Sequence, residues 1–217
     1  MHINECNWII EKLSRIKSVN ISPILDLGGS TLKYRTVDQP WLDKLFYSKL
    51  KELNLDIFFS DIKDDVGVDI VGDIFDEDVF QKIKEQNFKC IFCCNFLEHV
   101  TNPGDIIVRC MQLIPVGGYI VFTVPYSYPY HRDPIDTMFR PTPDELASLI
   151  PSHKVISSEI INTGSYRDHL AKSPWKIFRH IRIFFPFFGL EKWKRSLIKL
   201  KWLYFNFKHT CLVVQKK

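Results

Sequence analysis

No stretch of this 217-residue chain is apolar for long enough to cross a membrane as a helix. The longest apolar run, Ile183 to Leu190, falls far short of the ~20 residues such a helix needs and is interrupted by Pro186 and Gly189. No secretory leader is expected either, since the first apolar group, Trp8-Ile9-Ile10, is short and soon followed by charge. The six cysteines lack the spacing of a zinc site or a disulfide framework. Cys90 and Cys93 form a CxxC by letter count, yet alternation along a strand would point them to opposite faces. They read as reduced core residues of a cytoplasmic chain, and no metal is expected.

What is present is ordinary in bulk and uneven in detail. An apolar content of 46% with 25% charged residues suits a soluble globular protein, and the length suits one domain over 1–217 with a sizeable core. The net charge of +4 hides an asymmetry. Residues 172–209 hold ten Lys/Arg and one acid, Glu191, so the remainder of the chain is acidic on balance. Large aromatics interleave with those bases, among them Trp175, Phe178, Phe184, Phe188, Trp193 and Trp202. The whole 162–209 segment reads as a basic, aromatic helical insertion before the last strand. It suits a lid on the domain, a homodimer contact, or a helix lying at the inner face of a membrane against anionic lipid. Nothing in it resembles a nucleic-acid recognition module.

Apolar positions at helical spacing over 4–18 predict a leading helix within 1–20. The run Ile24-Leu25-Asp26-Leu27 predicts a strand that turns through Gly28-Gly29. An irregular stretch to Pro40 precedes a helix over 41–53, and Ile57-Phe58-Phe59 forms a strand ending at Ser60-Asp61. An acid-rich loop over 63–78 leads to a short helix at about 77–86 and a strand over 89–94. A helix at 104–114, a β-branched strand at 119–124 and a polar, aromatic loop at 125–143 follow. Thr142-Pro143-Asp144-Glu145 opens a helix, with Thr142 as its cap and proline at its first position. Strands at 154–161 and 210–215 bracket the basic segment. Strands alternating with helices predict a mainly parallel sheet covered on both faces, with ligands beyond the strand C-termini.

Those C-termini carry a set of residues in a telling order. Asp26-Leu27-Gly28-Gly29 resembles the first motif of class I S-adenosylmethionine-dependent methyltransferases. Asp61 resembles their ribose-binding acid, and Gly72-Asp73-Ile74 their adenine-side motif. Asn95-Phe96-Leu97-Glu98-His99-Val100 is similar to their segment after strand four, and Pro115-Val116-Gly117-Gly118-Tyr119 to the turn before strand five. The resemblance spans about residues 20–165. It implies a Rossmann-like α/β fold with a mostly parallel seven-stranded sheet. A narrower resemblance runs from Pro125-Tyr126-Ser127-Tyr128-Pro129-Tyr130-His131 through Asp136, Arg140 and Thr142. It points to a bacterial branch linked to surface polysaccharide and capsule biosynthesis, in which Tyr34-Arg35 also recurs. One departure stands out: Ser30-Thr31-Leu32 follows the glycines where a third small residue or glycine is usual. The separation of Gly28 from Asp61 also exceeds the roughly 20 residues of a dinucleotide fold, which argues against NAD.

The resemblance implies S-adenosylmethionine as cofactor and S-adenosylhomocysteine as product. Asp26, Gly28, Gly29, Asp61, Ile62, Asp73, Ile74, Asn95 and Phe96 would hold it. A carboxylate such as Asp61 can accept both ribose hydroxyl protons, Ile62, Ile74 and Phe96 can sandwich the adenine, and Arg35 can pair with the carboxylate of the methionine end. Methyl transfer to a hydroxyl needs an oriented acceptor and the removal of one proton. His131 is the candidate base because an imidazole titrates near neutrality, with Asp136 to orient it or to bind substrate and Tyr128 beside it. Tyr126 and Tyr130 suit a sugar, and Arg140 suits a phosphate or carboxylate. The expected activity is O-methylation of a sugar hydroxyl or of a phosphate-type group on a nucleotide- or sugar-linked intermediate. The alternatives are a non-catalytic cofactor-binding accessory protein of a membrane glycan-assembly complex, and a small-metabolite methyltransferase. The acceptor itself is not legible.

Overall fold

The computed structural model describes residues 1–131, 135–171 and 202–217. Seven strands form one sheet: β1 (Ile24–Leu27), β2 (Ile57–Asp61), β3 (Ile70–Val71), β4 (Cys90–Cys94), β5 (Tyr119–Ser127), β6 (His153–Ser165) and β7 (Asn206–Lys216). Their spatial order is β3-β2-β1-β4-β5-β7-β6. The pairs among β1 to β5 are parallel, while β7 runs antiparallel to both β5 and β6. The expected mostly parallel, seven-stranded α/β sheet is therefore present.

Six helices accompany the sheet among the described residues: α1 (Ile3–Leu13), α2 (Ser48–Glu52), α3 (Glu77–Glu85), α4 (Pro103–Leu113), α5 (Pro143–Ser148) and α6 (Tyr166–Ala171). Strand alternation sorts the core into two layers. Leu25, Leu27, Ile91 and Phe122 face one way, onto Phe80 and Ile83 of α3, Ile107 of α4 and Leu146 of α5. Ile24, Phe92, Val121 and Val213 face the other, onto Ile9 and Leu13 of α1 and onto Phe46 and Leu50. Cys90 falls in the second layer and Cys93 in the first, as alternation requires, and all six cysteines are free. No helix among the described residues is long and apolar enough to cross a membrane.

Local chemistry explains several element ends. The Thr142 hydroxyl accepts the Glu145 N–H at 3.2 Å and the Glu145 carboxylate accepts the Thr142 N–H at 2.7 Å, a reciprocal cap with Pro143 at the first helical position. Asp76 caps α3 by accepting the N–H of Asp78 at 2.9 Å.

The structure departs from the sequence reading in four places. The helix expected over 41–53 is a π-helical turn, Leu42–Tyr47, running into the short α2, and a second such turn, Tyr34–Asp38, occupies the stretch read as irregular. β3 lies inside the acid-rich segment read as loop. β6 and β7 extend beyond 154–161 and 210–215, pairing with each other out to Ser165 and Asn206. The insertion is thus narrower than 162–209 and opens with α6. Residues 172–201, which carry most of its basic and aromatic side chains, lie outside the described residues, and so do the lid, dimer and membrane-surface readings attached to them.

Candidate functional site

β1 pairs with β2 on one side and β4 on the other, so the loops leaving β1 and β4 diverge and open a crevice beyond their C-terminal ends. A cavity of about 1240 Å³ fills that crevice. Small-molecule pockets usually span ~300–1,000 Å³, so this one has room for two groups side by side.

The loop after β1 makes the first wall. Gly28 has φ +76°, and a Cβ there would lie 2.5 Å from the Phe96 ring. A Cβ on Gly29 would come within 2.8 Å of the Phe59 ring and 3.1 Å of the Asp26 carboxyl carbon. Both glycines are thus required by close neighbours. Ser30, which follows the two glycines, takes φ 59° and donates its N–H to Asp61 at 3.0 Å, so the loop closes here without a third glycine. Arg35 is buried beneath this wall. It donates to the carbonyls of Gly29 at 3.1 Å, Ser30 and Gly67 at 2.7 Å, and stacks 3.5 Å from the centroid of Phe59. The expectation that Arg35 pairs with a cofactor carboxylate is therefore corrected: its donors are engaged by loop carbonyls, and it is absent from the cavity lining. Tyr34, its neighbour, does line the cavity.

The ends of β2 and β3 make the second wall, with Asp61, Ile62, Asp73 and Ile74 all lining the cavity. Asp61 also accepts the Lys63 N–H at 3.1 Å, and Asp73 the Phe75 N–H at 2.9 Å, which fixes both carboxylates. Ile62 is 74% exposed and Ile74 is 4% exposed, so one is free to cover a flat ligand and the other is anchored in the core. Phe96 lines the cavity at the glycine loop, its ring against Gly28.

Between the walls lie Asp26 and Asn95. Asp26 is buried and accepts the Tyr47 hydroxyl at 2.7 Å; burial pushes its carboxyl up to about 6. Burial, followed by the charge and hydrogen bond of Asp26, raises the Tyr47 hydroxyl well above its ordinary value. Asn95 sits at φ 50°, a left-handed position that asparagine tolerates. Its Nδ2 donates to Glu5 Oε1 at 2.9 Å, while its Oδ1 is buried and has no partner.

The far wall is assembled from distant parts of the chain. His2, the cap of α1, lies in it with Glu5 buried behind; the turn after β4 contributes Glu98 and His99, the loop after β5 Tyr128 and His131, and β7 His209. A bulge between Pro125 and Ser127 bends β5 where His209 pairs with Pro125. Tyr128 is the hub, its ring 5.4 Å from His131, 5.4 Å from His209 and 5.6 Å from His2. Burial pushes the Tyr128 hydroxyl up to about 12, so it stays protonated. Burial would raise Glu5, but the fields of His209 and His2 and the His2 N–H, bound at 2.6 Å, hold it at about 2. Glu98 is fully buried, and burial pushes its carboxyl up to about 8. His209 lies 2.9 Å from the Thr163 hydroxyl, and burial lowers its pKa.

His131 lines the cavity, and burial, followed by the neighbouring His99, lowers its pKa. Its Nδ1 lies 3.3 Å from Asp136 Oδ2. Asp136 is buried behind it and accepts the N–H groups of His131 at 3.0 Å and Met138 at 2.9 Å and the Arg140 guanidinium at 2.7 Å. Burial would raise the Asp136 carboxyl, and those donors bring it below its ordinary value. Asp136 thus positions His131 and is absent from the lining. Arg140 is corrected in the same way, since its guanidinium is engaged by Asp136 and by the Phe139 carbonyl at 3.0 Å instead of facing the cavity. Tyr126 is half-buried and Tyr130 is exposed, and neither lines the cavity.

Several cavity residues escaped the sequence reading, among them His2, Tyr47 and His209. A signal for this wall was present in α1, where Glu5 shares the apolar face of Trp8 and Ile9, a carboxylate on a buried stripe.

No protein-family profile matches the chain, and no curated protein matches it by sequence. Solved structures do match by shape. A coclaurine N-methyltransferase bound to N-methylheliamine and SAH superposes with a TM-score of 0.57 at 12% identity, covering 98% of this chain and 72% of that one. A candidate sarcosine dimethylglycine methyltransferase of Galdieria sulphuraria gives 0.56 at 12% identity over 98% and 84%. A candidate methyltransferase of Bacillus halodurans gives 0.53 at 10% identity over 95% and 98%. The chain has the class I methyltransferase fold. At these identities the likeness concerns architecture, and the cavity must speak for the chemistry.

Proposed function

We propose that the chain is an S-adenosylmethionine-dependent O-methyltransferase acting on a polar acceptor. The observation that carries this reading is one continuous cavity with two unlike ends. One end offers a glycine loop and two fixed carboxylates, Asp61 and Asp73; the other is the wall of Tyr128, Glu98, His99 and His131. The donor end suits the cofactor on an independent point. Asn95 Oδ1 is a buried acceptor without a partner, Asp26 lines the same cavity, and an ammonium group would supply the missing donor. Asp61 would accept from the ribose hydroxyls and Asp73 from the adenine amino group, with Ile62 and Ile74 against the ring. SAH in the coclaurine N-methyltransferase of the same fold supports the assignment.

The bound cofactor supplies a methyl group already activated on a sulfonium. The chain's own residues exclude water, orient the acceptor and take one proton. Because burial lowers its pKa from the ordinary imidazole value, His131 is able to receive the acceptor's hydroxyl proton as the methyl leaves the sulfonium and joins that oxygen, with Asp136 holding its main-chain N–H in place. The Tyr128 hydroxyl donates to the acceptor. The resemblance of the 125–142 segment supports an acceptor in bacterial surface glycan assembly, a sugar hydroxyl or a phosphate-type group.

Methyl-labelled cofactor incubated with nucleotide sugars and lipid-linked sugar precursors tests the reading. Label should appear in an acceptor, and His131→Ala should slow transfer by about 10²-fold or more while sparing S-adenosylhomocysteine binding. A fully active His131→Ala protein would remove the base assignment. Binding of the cofactor product with no transfer to any acceptor would favour the accessory-protein alternative.

A further inference from the structure

Glu98 is the least explained residue of the far wall. It is fully buried in the single helical turn Leu97–His99, and neither carboxylate oxygen has a hydrogen-bond partner. A buried carboxylate in that condition is costly unless a cation meets it. Among the described residues, only His99 stands within ion-pair distance, its Nε2 3.7 Å from Glu98 Oε1. The other nitrogen of His99, Nδ1, lies 2.6 Å from the Ile135 carbonyl and must carry the proton to bond there. Nε2 of the neutral ring then holds the lone pair, on the side of Glu98. This is the arrangement by which a carbonyl orients a metal-binding histidine.

His131 completes the group. Its ring meets that of His99 edge to face, centroids 5.1 Å apart. Asp136, held by Arg140, lies 3.3 Å from its Nδ1 and accepts the His131 main-chain N–H at 3.0 Å, which fixes the loop that carries the ring. One donor atom from each of Glu98, His99 and His131 lies within 4.8 Å of the others. Three donors bound to one ion at about 2.0–2.2 Å stand about 3–3.6 Å from one another, so side-chain rotation has to close the trio by up to about 1–1.5 Å.

We propose that Glu98, His99 and His131 form a binding site for one divalent transition-metal ion. Two imidazoles and a carboxylate suit zinc, manganese, iron or cobalt, whereas calcium and magnesium prefer all-oxygen sets. All three residues line the cavity, so the coordination positions that the protein leaves open belong to the acceptor. The role of the ion rests on the methyl-transfer reading: an acceptor oxygen bound to the ion ionises more readily. In the metal-loaded protein the His131 lone pair would be engaged by the ion, and the proton of the ion-bound acceptor would leave to solvent water instead of to His131.

Cobalt(II) titration of the chelator-stripped full chain, followed by visible absorption, tests the site. The expected result is one saturable site per chain, weakened at least 10-fold by Glu98→Gln and by His131→Ala, with cobalt raising the melting temperature of the wild type and not of Glu98→Gln. Calorimetry of the same proteins with S-adenosylhomocysteine reads the donor pocket separately. Unchanged affinity there shows that the variants are folded, and failure of that binding alone leaves the metal site standing. No saturation by folded wild type at millimolar cobalt overturns the proposal. Binding that survives Glu98→Gln and is lost in Glu5→Gln also overturns it, because the ion then belongs to the neighbouring trio of His2, Glu5 and His209.

Discussion

A methyl group added at Gly28 would sit 2.5 Å from the Phe96 ring, on a backbone whose φ of +76° side chains rarely adopt. Gly28→Ala should therefore destabilise the fold by about 1–3 kcal/mol in urea unfolding and weaken S-adenosylhomocysteine binding with it. Unchanged stability would mean that the ring moves aside freely. Asp26 gives a second prediction at this scale. Its carboxyl rises from 3.8 to about 6 on folding, so its contribution to stability is complete below pH 3.8 and is lost as pH rises through about 6. The difference in unfolding free energy between wild type and Asp26→Asn should fall by an amount on the order of 3 kcal/mol from pH 3 to pH 7. A pH-independent difference would show that Asp26 titrates normally. Residue types alone could suggest Asp26, Asp61 and Asp73 as ligand carboxylates, but nothing in the letters distinguishes an arginine that faces a ligand from one that ties down loop carbonyls. Arg35 ties down loop carbonyls, and Arg140 holds the Asp136 carboxylate.

Among the elements, those with a strong period or an explicit cap were legible. β4 and β5 are apolar runs, and α5 announces itself through Thr142, Pro143 and Glu145. Thr142→Ala should cost about 1 kcal/mol in urea unfolding, with Thr142→Ser recovering most of it. Equal loss in both variants would rule out the cap as the cause. The illegible elements lack such signals. β3 has two residues and borrows its order from β2, and the π-helical turns at Tyr34–Asp38 and Leu42–Tyr47 follow no sequence rule that separates them from irregular or α-helical chain. The start of β7 was hidden by charge. Lys208 and His209 read with the basic segment, yet Phe207 and His209 are buried while Asn206 and Lys208 are exposed, the alternation of a strand.

At the scale of the molecule, the two halves of the cavity differ in how far the sequence discloses them. The donor half follows directly from strand ends, each ligand candidate lying at or just after an apolar run, so order along the chain maps onto position in space. The far wall joins α1, the turn after β4, the loop after β5 and β7, with Asn95 and Glu5 bonded across 90 positions of sequence. Only folding brings those groups together, and Glu98 reveals its unpaired state only in the packed protein. The central claim is that the donor half binds a sulfonium cofactor, and calorimetry with S-adenosylhomocysteine measures it directly. The account predicts one site per chain with micromolar affinity in the wild type, weakened at least about 10-fold by Asp61→Ala with the melting temperature retained. No heat of binding at millimolar ligand, or an affinity untouched by Asp61→Ala, would contradict it.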